Sequence, residues 1–453
     1  MKNKISRYFI IFIMAIILMI IDTINAFSTV KSLESANVKQ KVLNEYSDAI
    51  AWHSSNVHVM DEILNESSII VKFHPHVSLL DIRIFEIKFC LQNKHQLTHE
   101  ADFFCYELPD GVKVSLRLLN RMNRFPNVLY VEPNYKCVLN AEPDYEQLLS
   151  LSEIDIHIRD AWEITKGSPS VIVAIIDSGI DYNHPDLKDK IWVNTEEMPD
   201  NAIDNDNNGY INDFMGWNFH DNNNDPMDHY SHGTHVAGII AASENDHGIA
   251  GIAPEVKLMP LKIFEQNNEM ANYSDVISAI VFAYNHGASV VNMSFVGKGY
   301  SQSLYDIMNK YEDMDFVCEA GDYGADNDTS PFYPGSYELE NIICVASIDE
   351  DGSLSSYSDF GIKHVQVAAP GNNIYSTFPN DDFGYYSGTS EAVPYVTGIV
   401  ALLKSYNTDL TAAEINQAIM NNVKHLESLE GKVKTGGLID AAEALNSVKQ
   451  NTP

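Results

Sequence analysis

From Ser168 onward the chain alternates unbroken apolar runs with stretches of helical spacing, and this restricts the fold more than any other feature. Val171-Ile172-Val173-Ala174-Ile175-Ile176 is apolar at every position, as strands buried on both faces of a parallel sheet are. Residues 256–264, 288–293, 316–320, 342–346 and 365–369 are further strand candidates. Helical spacing falls at 235–243, 275–286 and 303–311, then from Ser390 to Lys404, and at 412–423 behind the cap-like Thr411. The pattern predicts an α/β domain with a parallel central sheet and helices on both faces. Such sheets hold their sites in the crevice at the carboxyl ends of the strands.

The chain has 453 residues, enough for more than one domain, and its 45% hydrophobic content supports a large core. Residues 1–26 read as a secretory signal: Lys2, Lys4 and Arg7, an apolar run from Tyr8 to Ile21, and a cleavage site at Ala26. This predicts a protein secreted or held in the lumen of the secretory pathway. The run is short for a membrane span, which needs ~20 apolar residues. No later stretch is apolar enough to span, so the alternative is an uncleaved N-terminal anchor. Residues 27–67 are polar and weakly patterned. Residues 68–140 read as a small α+β domain, with strands at 69–73, 103–108 and 127–131 and a helix at 114–123. A polar linker at 141–150 leads to the large domain, 151–453.

A formal net charge of −34 argues against nucleic-acid partners and anionic lipid. Between Lys190 and Lys257 there is no Lys or Arg. Within that segment Asp204, Asp206 and Asn208 alternate ahead of Gly209, and Asp213 follows, a spacing of short oxygen side chains that suits calcium. It resembles the opening of an EF-hand loop, although Met215 stands where that loop has Glu. The alternative is a solvated Asn/Asp loop. Five cysteines are too few for a disulfide scaffold; Cys318 and Cys344 are either bonded or two buried thiols. Asn65, Asn272 and Asn327 sit in glycosylation acceptor patterns.

Three glycine-flanked motifs carry the chemistry: Asp177-Ser178-Gly179, His232-Gly233-Thr234-His235 and Gly388-Thr389-Ser390. An acid, an imidazole and a hydroxyl are the parts of a nucleophilic relay, and their three side chains are expected to meet. Their order, Asp, His, Ser, separates one protease lineage from others with the same chemistry. Val171 to Leu187, Ser231 to Gly238, and Ser387-Gly-Thr-Ser390 with Ala392, Pro394 and Gly398 resemble the three signature motifs of subtilisin-like serine proteases. The upstream module, ending Val131-Glu132-Pro133-Asn134-Tyr135, is similar to the inhibitory propeptide of that family. The resemblance implies Ser390 as nucleophile, His232 as general base and Asp177 as its orienting partner. It also implies a protein or peptide substrate bound as an added strand, calcium in the acidic insert, and a zymogen held by its own propeptide until a cut within 136–150.

Four positions depart from the pattern. Where the family has an oxyanion-hole Asn, the run Glu319-Ala320-Gly321 ends in Asp322. A carboxylate offers no donor there unless protonated, and removing one such donor costs roughly 10²–10³ in turnover. Glu391 follows the serine in place of Met, so that Asp322 and Glu391 either share a proton and restore a donor at mildly acidic pH, or mark a site not selected for rate. Ser294-Phe295-Val296-Gly297 puts the bulk of Val296 where substrate backbone passes. Glu319 replaces a small residue of the first specificity pocket; an open pocket predicts Lys or Arg there, and a closed one admits no peptide. Gly321 belongs to the same cleft. The expected function is a secreted serine endopeptidase. The alternative is a catalytically impaired relative that binds protein or serves structurally, and an esterase with the same triad lacks any sign of a lipid-binding lid.

Overall fold

The structure, a computed structural model, describes residues 66–100, 102–139, 142–143, 156–199, 201–246, 248–265 and 269–449. Residues 1–65, which include the expected signal, and most of the expected linker lie outside the described residues. The chain divides into two compact units, residues 1–133 and 134–453.

The smaller unit runs β1 (Ser68–Phe73), α1 (Leu79–Phe89), β2 (Gln92–Gln96), β3 (Phe103–Glu107), α2 (Leu116–Met122) and β4 (Val128–Pro133). Its strands form an antiparallel sheet in the order β2-β3-β1-β4. Ile69, Val71 and Phe73 alternate along β1 into a core shared with Phe85, Phe89, Phe104 and Tyr106. The sequence pattern did not show α1, because Ile82, Ile84, Phe85, Ile87 and Phe89 mix a period of two with helical spacing. Its start is fixed instead by Ser78, whose hydroxyl accepts the Asp81 N–H. Nor did it show β2, a wholly exposed polar edge strand without an apolar face.

The larger unit runs β5 (Lys136–Val138), β6 (Glu142–Pro143), α3 (Ile158–Trp162), β7 (Ile172–Asp177), β8 (Trp217–Asn218), α4 (His232–Ala241), β9 (Lys257–Lys262), β10 (Met270–Asn272), α5 (Tyr273–Asn285), β11 (Val290–Met293), α6 (Gln302–Lys310), β12 (Asp315–Glu319), β13 (Ile342–Ile348), β14 (Val367–Pro370), β15 (Ile374–Phe378), β16 (Asp382–Ser387), α7 (Thr389–Tyr406), α8 (Ala412–Met420), β17 (Lys424–His425), β18 (Gly437–Leu438) and α9 (Ala441–Lys449). Nine strands form one sheet in the order β17-β18-β14-β13-β12-β11-β7-β9-β8. All its pairings are parallel except β17 with β18. The expected parallel α/β sheet is therefore present. After β9 the chain returns past β7 to lay down β11, which opens a crevice at the carboxyl ends of β7, β11 and β12.

α7 is buried along Thr389–Lys404 apart from Tyr395, as its apolar sequence requires, and Val396, Ile399, Val400 and Leu403 are fully enclosed. Cys318 and Cys344 are register partners on β12 and β13 and are free thiols. Asn327 has no exposure and donates from Nδ2 to the Ala320 carbonyl at 2.9 Å, which excludes a glycan there. Asn65 lies outside the described residues. No helix among the described residues is long and apolar enough to cross a membrane.

Candidate active site

Asp177 is the last residue of β7, and Gly233 is the second of α4. A Cβ at Gly233 would lie 2.1 Å from the Gly179 carbonyl oxygen, so only glycine lets the helix start approach the turn after β7 this closely. The approach sets Nδ1 of His232 at 2.8 Å from Oδ1 of Asp177, with neither side chain exposed. Asp177 Oδ1 also accepts the Ser178 N–H at 2.6 Å. Asp228, which no spacing singled out, ties this corner together. Its Oδ1 accepts from the Ser178 hydroxyl and the N–H groups of Tyr230 and Ser231, and its Oδ2 from the N–H and hydroxyl of Thr234.

Ser390 is the second residue of α7. Pro394, four residues on, has no N–H to give to the Ser390 carbonyl. The Ser294 hydroxyl donates to that carbonyl instead, at 2.9 Å. Asn292 Nδ2 donates to Ser294 Oγ at 3.0 Å, and the Thr397 hydroxyl to Asn292 Oδ1 at 2.8 Å, so the end of β11 grips the helix start.

The expected contact between His232 and Ser390 is not made. The Ser390 hydroxyl donates to Oε2 of Glu319 and lies 3.4 Å from the Ser294 carbonyl oxygen. His232 Nε2 has no hydrogen-bond partner among the described residues, and Oε1 of Glu391 is 3.7 Å away. Glu319, at the end of β12, has no exposure, so it lines no open pocket for Lys or Arg; its carboxyl is turned onto α7. Oε2 also accepts from the Thr389 hydroxyl at 3.2 Å, while Oε1 has no partner among the described residues.

Asp322 follows on a turn that only glycine allows: Gly321 has φ +114°, and a Cβ there would meet Asp359 Oδ2 at 2.3 Å. Oδ1 of buried Asp359 accepts the N–H groups of Tyr323 and Ala325 at 3.0 and 2.6 Å. The turn aims Asp322 at α7, where Oδ1 accepts the Thr389 N–H at 2.8 Å and Oδ2 has no partner among the described residues. Both carboxyl oxygens of Glu391 are buried and have no hydrogen-bond partner among the described residues.

Four carboxyls thus surround one imidazole, and burial decides which stay neutral. Burial, reinforced by Asp322, holds Glu319 well above the ordinary carboxyl range against the opposing Ser390 bond and His232. Burial raises Asp322 to about 7 despite its Thr389 bonds. Burial likewise raises Glu391 to about 8, with His232 opposing and Asp322 adding. For His232 burial disfavours the charge, but Asp177, Glu391 and Glu319 outweigh it and push the ring up to about 9. Burial lowers neighbouring His235 to about 3, and its Nε2 meets the Ile374 carbonyl at 2.9 Å.

Val296 does not obstruct the cleft. Its side chain is buried, and its main chain pairs with Val138, through N–H to O distances of 2.8 and 3.1 Å. Phe295 is buried edge-on against Phe264, and the Gly297 N–H donates to the Tyr333 carbonyl at 2.8 Å. On its other side β5 pairs antiparallel with β10, Lys136 opposite Asn272 and Val138 opposite Met270. Beyond it, β6 pairs with β16, placing Glu142 opposite Ser387.

The acidic insert groups its residues differently from the sequence expectation. Asp204 and Asp206 gather with Glu197, whereas Asp206 and Asp213 gather with His286. Asn208 turns its amide nitrogen to Asp206 and Asp213, at 3.0 and 2.8 Å, and offers no oxygen there, since its Oδ1 accepts the Tyr210 N–H. His286 is distant in sequence, and Glu197, seven residues before Asp204, falls outside the alternating spacing. Glu197 is buried with Oε2 unpartnered, and its group is all carboxylate oxygen, which fits a hard divalent cation.

Residues 168–439 match the model of the Subtilase family. The thermophilic serine proteinase of Bacillus sp. (strain AK1) is 35% identical over 305 residues, 67% of this chain and 69% of its own length. Thermitase of Thermoactinomyces vulgaris is 34% identical over 291 residues, 64% of this chain and 93% of thermitase. Among solved structures, fervidolysin from Fervidobacterium pennivorans, a keratinolytic enzyme related to subtilisin, superposes with a TM-score of 0.68 at 24% identity, over 86% of this chain and 62% of its own; at that identity it speaks for the fold alone.

Proposed function

Since the chain belongs to the subtilase family of serine endopeptidases, we propose that it cuts protein chains with Ser390 as nucleophile, His232 as proton carrier and Asp177 as the partner that orients and stabilises the imidazolium. The observation that carries this reading is the buried Asp177–His232 pair, 2.8 Å apart, beside a serine that opens a helix at the carboxyl ends of a parallel sheet. The oxyanion is met by protonated Asp322, whose free Oδ2 and raised pKa favour a carboxylic acid able to donate. The charge repulsion between Asp322 and Glu391 supports a proton retained by the pair.

The substrate is an extended protein segment that adds a strand between β10 and Val296. Support comes from β5, a strand of this same chain lying in that slot. The chain is therefore made as a zymogen, with residues 68–140 as inhibitory propeptide and a cut between β5 and β6 as the step that frees the cleft. Its N-terminal signal directs it to secretion. Glu197, Asp204 and Asp206 would hold calcium, whose charge would offset theirs and keep the insert folded.

Digestion of casein by wild type and by Ser390→Ala across pH 5–9 tests the reading. Cleavage that the variant loses supports it. No cleavage by wild type at any pH refutes it and leaves the fold as a protein-binding module.

A further inference from the structure

We propose that the start of α5 and Gly299 form an upstream recognition site that selects substrates carrying an asparagine followed by an aromatic residue. This rests on the reading of the β5 slot as the substrate site. Asn134 and Tyr135, which lead into β5, show what the upstream site takes.

Asn134 is 3% exposed. Its Oδ1 accepts the Ser274 N–H at 3.0 Å, and its Nδ2 donates to Ser274 Oγ at 3.0 Å. The Tyr135 carbonyl accepts the Tyr273 N–H at 2.9 Å. Tyr273 and Ser274 are the first two residues of α5, whose N–H groups find no acceptor within the helix. Asn272, at the N-cap, makes no side-chain cap bond, and its Nδ2 turns to Asp275 Oδ2 at 3.3 Å. The helix therefore takes its cap from the segment that enters the cleft. That cap reads an amide in both directions. A carboxylate could accept the Ser274 N–H but has no hydrogen for Oγ. It would also stand beside Asp275, to whose Oδ1 the Ser274 hydroxyl donates at 3.3 Å.

The aromatic ring has a seat of its own. A Cβ at Gly299 would lie 2.5 Å from the Tyr135 ring, so any larger residue would fill the space that the ring takes. Buried Tyr273 meets the ring edge-on, with centroids 6.5 Å apart. A Cβ at Gly297 would come within 2.8 Å of the Lys136 carbonyl oxygen, so the main chain between ring and strand lies on glycine as well. The Lys136 side chain is exposed and sets no requirement.

Register carries these contacts over to a substrate. Val138 pairs with Val296 on one side and with Met270 on the other. A substrate segment in the same register sets its residue four places earlier at the start of α5, and its residue three places earlier on Gly299. At about 3.3 Å per extended residue, the amide is read roughly 13 Å upstream of that pair. Binding gained at such a distance still speeds cleavage, because it holds the chain in place at the reacting bond.

Matured protein and fluorogenic, acetylated peptides of residues 134–143 test the site. The peptide that begins at Asn134 should be cut with kcat/KM roughly 50-fold above the one that begins at Lys136. Within the longer peptide, Asn134→Ala should cost roughly tenfold, the weight of two hydrogen bonds, and Asn134→Asp should recover little of it. Tyr135→Ala should cost about fivefold, as for a ring half removed from water. In the protein, Gly299→Ala should slow the longer peptide far more than the shorter one. Equal kcat/KM for the two lengths, an aspartate peptide cut faster than the asparagine one, or Gly299→Ala slowing both lengths alike overturns the proposal. If Gly299→Ala does not fold, the peptide series on wild type decides alone. Protein that cuts neither casein nor any of the peptides refutes the endopeptidase reading, and this one falls with it. Casein cut by a protein indifferent to residues 134 and 135 of the peptide strikes this proposal alone.

Discussion

Replacing Asp322 by asparagine should free the reaction from one proton. Burial lifts this carboxyl to about 7. Below that pH Asp322 is an acid with a hydrogen to offer through Oδ2, the oxygen left unpartnered; above it the group has only lone pairs to turn towards a developing oxyanion. Roughly nine-tenths of the site carries the proton one pH unit below the midpoint and about one-tenth one unit above it. An amide donates at every pH. The ratio of kcat/KM for Asp322→Asn over wild type should therefore stay near unity at pH 5–6 and rise to about tenfold at pH 8. It should then climb towards the roughly 10²–10³ that a missing oxyanion-hole donor costs. Hydrolysis of a fluorogenic peptide by both proteins from pH 5 to 9 gives this ratio directly. A ratio that is flat across the range, or below unity at pH 8, would refute the protonated-Asp322 oxyanion hole.

Glu391→Gln should change how stability depends on pH. The folded-state pKa of Glu391 lies near 8 against an ordinary 4.5, so the folded protein keeps a proton that the unfolded chain releases. Its contribution is complete below about pH 4.5 and is lost as pH rises towards 8, on the order of 5 kcal/mol for an isolated group. Urea unfolding should show the glutamine variant gaining on wild type between pH 5 and 8; parallel losses at both would contradict this. A chelator should lower Tm, and saturating calcium at about 100 times its Kd should restore ~2.7 kcal/mol; Glu197→Gln should remove that response, and a Tm indifferent to calcium counts against the site. N-terminal sequencing of matured protein should place the new terminus between Leu139 and Glu142, the gap between the two strands paired across the cleft. Ser390→Ala should remain uncut, and a cut outside the gap would show that β5 is not bound as a substrate.

The central sheet was legible because strands buried on both faces carry no polar interruption: the run ending at Ile176 and the strand at 342–348 announce themselves. α4 begins three residues before the helical spacing does: His232, Gly233 and Thr234 read as a turn, but the Gly233 N–H donates to Ser178 Oγ and the Thr234 N–H to Asp228 Oδ2, which satisfies the first turn of the helix. The hairpin of β15 and β16 passed unseen because Gly384 and a run of tyrosines give it no clear alternation. The three motif residues were legible as chemistry. The partner actually chosen by the Ser390 hydroxyl was not: Glu319 stands 71 residues away and is brought there by the packing of β12 under α7. Glu197, Asp228, Asp359 and His286 were hidden as well. Asp359 and His286 act on residues tens of positions away, whereas Glu197 and Asp228 lie within ten residues of several partners but in irregular loops with no spacing that marks them.

Mass spectrometry of the purified, matured protein after fluorophosphonate treatment bears most directly on Ser390 as the nucleophile. A single adduct on Ser390 that disappears in Ser390→Ala is the result predicted. An unmodified Ser390 across pH 5–9, in protein that is folded and cleared of residues 1–139, would contradict it.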